Sequence, residues 1–208
     1  MDLLEKLSSN TRDKIEGSNR EVANHCLTDP TLLAEIAVGL ESKNPALIGD
    51  CAEVFTLTAM IQPDIVAPYG EALAKIRSHK NTRVRWEAAH CLALISAFRP
   101  DLIAKLLSGL IETIHQDESI IVRDYTIDIL ANYAASSVHT AKEAYLTLIE
   151  SLQVWNGKHA GHALVGLEHI AGMLPDLQDE IRAHVQPFLT SEKGVIRKAA
   201  KRVNKITG

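Results

Sequence analysis

The sequence predicts an all-α fold: a right-handed α-α solenoid of about five helix pairs behind an N-terminal helical cap. Three observations carry this expectation. A column of small residues, Ala52, Ala88, Thr126, Ala163 and Ala200, recurs at steps of 36, 38, 37 and 37 residues. Around it lies an apolar pattern of helical spacing: Val84, Ala88, Leu92 and Ile95 fall four, four and three apart, on one face of a helix. Finally, the junctions Gln62-Pro63-Asp64, Arg99-Pro100-Asp101 and Leu174-Pro175-Asp176 are separated by 37 and 75 residues, one and two periods. A repeat of this length is one supersecondary unit that buries its apolar face only by stacking on neighbours.

Taken in order, residues 1–28 read as a half-repeat capping the stack. Residues 2–16 hold one or two short helices, and Ser18 with Glu21 fits a capping box ahead of Val22. Residues 29–208 hold the repeats, the whole chain reading as a single domain. The first helices of the pairs are expected at about 31–42, 64–78, 101–116, 139–154 and 176–190. The second helices are expected at about 45–61, 82–98, 119–135, 158–173 and 194–206. Proline disfavours helix in the residue before it, and the Asp after each junction proline is placed to cap the next helix. At the junction without proline, Ser136-Ser137 supplies capping hydroxyls. Asn81 or Thr82 opens the second helix around Val84, and Pro187 should kink or shorten the last first-helix. Alternating strand patterns are absent.

Composition narrows the function. The 208 residues are 46% apolar and 4% aromatic, with a formal net charge of −4. That balance does not suggest a nucleic-acid or anionic-membrane partner. Cys26, Cys51 and Cys91 lie in helical patterns without C-x-x-C spacing and read as reduced, buried thiols. With an N-terminus unlike a signal peptide and no apolar run of membrane length, the expected compartment is the cytoplasm.

The second helices open on Val84-Arg85…Ala88, Val122-Arg123…Thr126 and Ile196-Arg197…Ala200. With Pro-Asp opening the first helices and Asn81 or Asp117 in the turns, the chain resembles the HEAT-repeat family over about residues 29–208. Two units depart from the pattern: Gly49 stands in the arginine place of the first, and His159-Ala160 replaces Val-Arg in the fourth. The resemblance implies that the second helices line the concave side. Counting the opening Val place as one, positions three, seven and ten then face the groove: Asp50, Val54, Leu57; Trp86, His90, Ala93; Asp124, Asp128, Ala131; Gly161, Val165, Glu168; Lys198, Arg202, Lys205. It also implies that Arg85, Arg123 and Arg197 form a structural ladder tied to the turns rather than a ligand site.

The expected function is a non-enzymatic scaffold or adaptor that holds a protein or peptide on the concave surface. The candidate contact residues are Trp86, His90, Asp124, Asp128, Lys198 and Arg202. Exposed tryptophan suits an interface anchor, and the nearby carboxylates favour a basic ligand. No catalytic constellation, cofactor motif or metal-ligand set is legible; His159 and His162 alone do not complete a metal site. Two other readings follow from HEAT-like folds. One is nucleic-acid binding like that of alkylpurine DNA glycosylases, which the acidic middle of the groove opposes. The other is an auxiliary enzyme subunit resembling bilin lyases, which only the repeat supports.

Overall fold

The structure is a computed structural model, described over residues 2–11 and 17–208, and among those residues it contains helices and no strand. The longer helices are α1 (Gly17–Thr28), α2 (Leu33–Gly39), α3 (Pro45–Ala59), α4 (Gly70–Ile76), α5 (Thr82–Ile95), α6 (Pro100–Gln116), α7 (Ile120–Ala134), α8 (Val138–Ser151), α9 (Ala160–Met173), α10 (Gln178–Val185) and α11 (Gly194–Thr207). The predicted second helices are α3, α5, α7, α9 and α11, and each begins within two residues of its expected start. Their caps explain the agreement. Asn44 accepts from the Ala46 N–H, Asn81 from the Arg83 and Val84 N–H groups, and Ser119 from the Val122 N–H. Each satisfies a donor that a helix start leaves orphaned.

The first helices are less regular. The expected helix over 64–78 is a turn at Pro63–Val66, a 3₁₀ turn at Ala67–Tyr69, and then α4. Pro68 causes the break, because its ring clashes with the carbonyl four residues earlier and it offers no N–H. Pro187 acts likewise: α10 stops at Val185, and a 3₁₀ segment runs through Gln186–Thr190. Asp64, Asp101 and Asp176 are not caps. Each lies one residue inside its helix, in the first turn, where a carboxylate suits the positive end of the helix dipole. At the Ser136-Ser137 junction, Ser137 and Thr140 form a reciprocal capping box. Ser18 lies within α1 rather than ahead of it, and its hydroxyl is 3.1 Å from that of Thr11. The part of the N-terminal expectation that falls on residues 12–16 lies outside the described residues.

The chain divides into two compact units, Met1–Leu102 and Ile103–Gly208. In the first, α3 packs against α1, α2 and α5, and α4 packs on α5. Leu3 and Leu7 are buried, and the Ser9 N–H donates to Asp50 Oδ2 at 2.6 Å. Asp50 and Val54, expected on the groove face, are therefore buried at 1% and 0% exposure. Asp50 is held there by Asn19 at 3.1 Å and by Arg83 at 2.9 Å, which also grips Glu53 at 2.8 Å. A carboxylate this deep is tolerable only because it is paired and hydrogen-bonded.

In the second unit, α9 packs against α7, α8, α10 and α11. The whole small-residue column is buried: Ala52, Ala88, Ala163 and Ala200 are 0% exposed and Thr126 is 1%. Thr126 fits by turning its hydroxyl back onto the Val122 carbonyl at 2.7 Å. Gly166 marks a tight approach: a Cβ there would stand 2.6 Å from Leu148 Cδ1 and 3.1 Å from the Ala131 Cα. Each Leu or Ile side chain buried between these helices contributes about 1.5–3 kcal/mol by leaving water.

Candidate functional site

The three arginines at the start of second helices reach back to the turn before them. Arg85 Nη1 donates to the carbonyls of His79 and Lys80, at 3.0 and 3.1 Å. Arg197 Nη1 donates to the Ser191 carbonyl at 2.6 Å, and Arg123 Nη1 to the Asp117 carbonyl. Carbonyls in a turn have no ladder partner, and a charged guanidinium is a strong donor to them.

Arg123 has a further set of partners. It is 2% exposed, and its Nε donates to His159 Nε2 at 2.9 Å. The Trp155 ring lies over the guanidinium carbon at 3.9 Å from the centroid, and the indole N–H donates to the Ile114 carbonyl at 3.0 Å. That pose requires an unusual backbone. Trp155, Asn156 and Gly157 all have positive φ, at 53°, 57° and 68°. Asn and Gly adopt this region readily; tryptophan does so at a cost of order 1–3 kcal/mol, offset here by stacking and the indole hydrogen bond. Burial without a carboxylate at bonding distance holds the Arg123 guanidinium below its usual value, with Asp117 and Asp124 opposing the shift.

His159, the residue in the Val place of the fourth repeat, is 0% exposed. Since an Arg N–H only donates, His159 Nε2 must accept, so the proton sits on Nδ1 and is donated to Asp124 Oδ1 at 2.6 Å. The chain of contacts continues at His162, whose Nε2 is 3.4 Å from Asp124 and whose Nδ1 is 2.7 Å from Asp128. The hydrogen bond to Asp128 pushes His162 above its ordinary value near 6.5, against partial burial, with Asp128 and Asp124 adding their charges. Both nitrogens of each histidine thus face protein groups, which leaves His159 no free nitrogen for acid–base work on a substrate. Among the described residues, no group of three or more His, Cys, Asp or Glu is placed to hold a metal ion.

The candidate contact residues fall on both units. In the first, Trp86 and His90 are half-buried on α5. The Trp86 indole N–H is already donated to Glu87 Oε1 at 2.7 Å, so a partner would meet the ring rather than the N–H. In the second, Asp124 and Asp128 are half-buried and engaged by the two histidines, which weakens the expectation that they attract a basic ligand. Arg202 pairs with Glu168 at 2.7 Å, and Lys198 is exposed. Beside them α9 and the start of α11 enclose a groove of about 470 Å³, with Lys158, His162 and Lys193 at its edges and Val165, Val195 and Ile196 as apolar lining. Sequence reasoning placed Gly161 and Val165 on this face but missed Val195, which is 80% exposed at the first turn of α11.

The cysteines are buried thiols: burial pushes Cys26 up to about 11 and Cys51 to about 12, and raises Cys91 as well, so none is a ready nucleophile. No helix among the described residues is long and apolar enough to cross a membrane.

Comparison with known proteins places the fold. No family model matches the sequence, and no curated protein matches it. Solved structures do match, along the whole chain. A designed armadillo repeat protein, YIII(Dq)4CqI, aligns with a TM-score of 0.74 at 17% identity, covering 99% of this chain and 98% of that one. A second, YIII(Dq.V1)4CPAF in complex with the peptide (KR)4, aligns at 0.76 and 15% identity, covering 99% and 98%. An engineered protein aligns at 0.77 and 20% identity, covering 100% and 98%. The chain therefore has the fold of α-helical repeat solenoids, the class to which armadillo-type designs belong. The likeness is to helical repeats in general rather than to HEAT repeats in particular.

Proposed function

We propose that this chain is a HEAT-type repeat scaffold that binds a peptide or an extended protein segment on the exposed face of its second helices, without catalysis. The observation that carries the reading is the half-buried Trp86 on α5. Two residues from buried Val84, it is not fully buried although its N–H is satisfied inside the chain. Apolar aromatic surface left at a regular helical face is the usual mark of an interface anchor. His90 lies one turn further along the same helix. The second unit presents Asp124, Asp128, Lys198 and Arg202 on its own second helices. Support from fold likeness is limited to one point: a neighbour of the same architecture was solved holding a peptide. Arg85, Arg123 and Arg197 serve the fold in this reading, through their turn carbonyls.

The test is a selection of random peptides displayed against the protein, followed by fluorescence anisotropy on the winners. Peptides should be enriched, and Trp86→Ala should weaken those that bind the first unit by about tenfold or more while leaving the helical content unchanged. Failure to enrich any peptide would sink the scaffold reading.

A further inference from the structure

We infer that the groove between α9 and α11 takes an acidic segment of a partner protein, with an apolar side chain seated between its lysines. This rests on the reading that the second-helix face is the binding face, and it names the chemistry of the partner there. The groove is concave, at about 470 Å³, and its apolar part is built from Val165, Val195 and Ile196. That volume holds one or two large side chains, and filling it would cover Val195, which otherwise stands 80% exposed.

The charges that line the groove are of one sign. Lys158 and Lys193 border it, and no carboxylate does. The acids of α7 and α9 on the same face are engaged, Asp124 and Asp128 by His159 and His162 and Glu168 by Arg202, while Glu192, next to Lys193 in sequence, lines the adjoining recess with Gln153 and Phe188. Lys158, Lys193 and Lys198 are exposed, and their ammonium groups have no carboxylate partner among the described residues. The first turn of α11 opens at Gly194 without a side-chain cap, adding the positive end of a 14-residue helix to the field. A chain of net charge −4 that gathers unpaired cations around an apolar recess offers electrostatic complementarity to Glu- or Asp-flanked hydrophobic sequence. A peptide such as the (KR)4 held by the structural neighbour would be repelled. Nucleic acid fits less well, because the recess is mainly aliphatic and its one aromatic side chain, His162, is bonded to Asp128 rather than set among further rings on which bases could stack.

The test uses the full chain and four fluorescent probes: a peptide of alternating Glu and Leu, a Gln-Leu peptide of equal length, (KR)4, and a single-stranded oligonucleotide. The Glu-Leu peptide should bind at least about tenfold more tightly than the Gln-Leu peptide, and its affinity should fall with added salt. The double variant Lys158→Glu with Lys193→Glu should weaken it by about tenfold or more, and Lys158→Arg with Lys193→Arg should restore it. Gly161→Leu is the second probe of place. Its side chain would grow toward Ile196 and Val195, which stand 3.8 and 4.0 Å from a Cβ there, and should block the groove without changing charge. Tighter binding of (KR)4, of the neutral peptide or of the oligonucleotide would overturn the proposal, as would indifference to all three variants. A display selection that enriches peptides insensitive to these variants would defeat the acidic-ligand inference and leave the scaffold reading standing. A selection that enriches nothing would end both.

Discussion

Arg85 and Arg123 occupy the same place in successive repeats, 38 residues apart, and both donate to carbonyls of the turn before their helix. Around Arg85 the guanidinium is half-exposed. Around Arg123 it is 2% exposed, stacked under Trp155 and bonded to His159 of the following repeat. The difference begins at the fourth repeat, whose own Val-Arg pair is replaced by His159-Ala160. Having no arginine there, that repeat uses its neighbour's, and the histidine that displaced the valine supplies the acceptor. A departure from a repeat pattern is thus a local recombination of contacts rather than a defect. It also turns a turn-bracing arginine into part of the buried core.

The largest expected effect is a direct test of that contrast. Arg123→Ala removes a buried cation and leaves His159 Nε2 and the Asp117 carbonyl without their donor, so it should cost about 3–5 kcal/mol. Arg85→Ala should cost no more than about 1 kcal/mol. Urea unfolding followed by circular dichroism measures both, and equal costs would abolish the distinction.

A double-mutant cycle sharpens it. Arg123→Ala and His159→Val should show a coupling of at least about 1 kcal/mol, with the double variant less damaged than the sum of the singles. Additive losses would mean that the two side chains fold independently of each other.

Trp155→Ala comes next, at about 1–2 kcal/mol, mainly from lost stacking on a desolvated guanidinium and the lost bond to Ile114. Relief of the left-handed backbone does not offset it, since alanine is also strained there. A variant as stable as the parent would show that the ring merely rests on the arginine.

The smallest effect is a dependence on pH. His162 titrates above its ordinary value in the folded state because of Asp128. A raised folded value means that the pair's contribution is complete below about 6.5 and is lost as the pH climbs through the folded value. The stability gap between the parent and His162→Gln should therefore be wider at about pH 6 than at about pH 9. A gap that widens with rising pH would contradict the Asp128 pairing.

Much of this architecture was legible in the residues. The buried column from Ala52 to Ala200 announced itself by its period, and the second helices by their apolar spacing and the cap at Asn81; Asn44 and Ser119 cap by the same local rule. Local rules also explain the misses. Pro68 breaks the second repeat's first helix, yet it falls inside a run with good apolar spacing, which concealed it. Asp50 looked solvent-facing on its own helix, but tertiary cover from the N-terminal residues buried it, and periodicity along one helix carries no information about a distant segment. The pairs Asp124–His159 and Asp128–His162 are 35 and 34 residues apart, close to one repeat. Comparing neighbouring columns, rather than each helix alone, is the signal that finds them. The position of Trp155 over Arg123 has no such signal, because it depends on three consecutive residues taking positive φ.

The handshake between Arg123 and His159 bears on how such an array tolerates rearrangement. In an array of interchangeable modules, any unit can be duplicated, deleted or moved with a uniform penalty. Here the third and fourth units are a matched couple. Excising either one, or inserting a copy between them, would strand a guanidinium beside an aliphatic neighbour or a histidine without its donor. Lineages that expand or contract this chain by whole units should cut on either side of the couple and carry it intact.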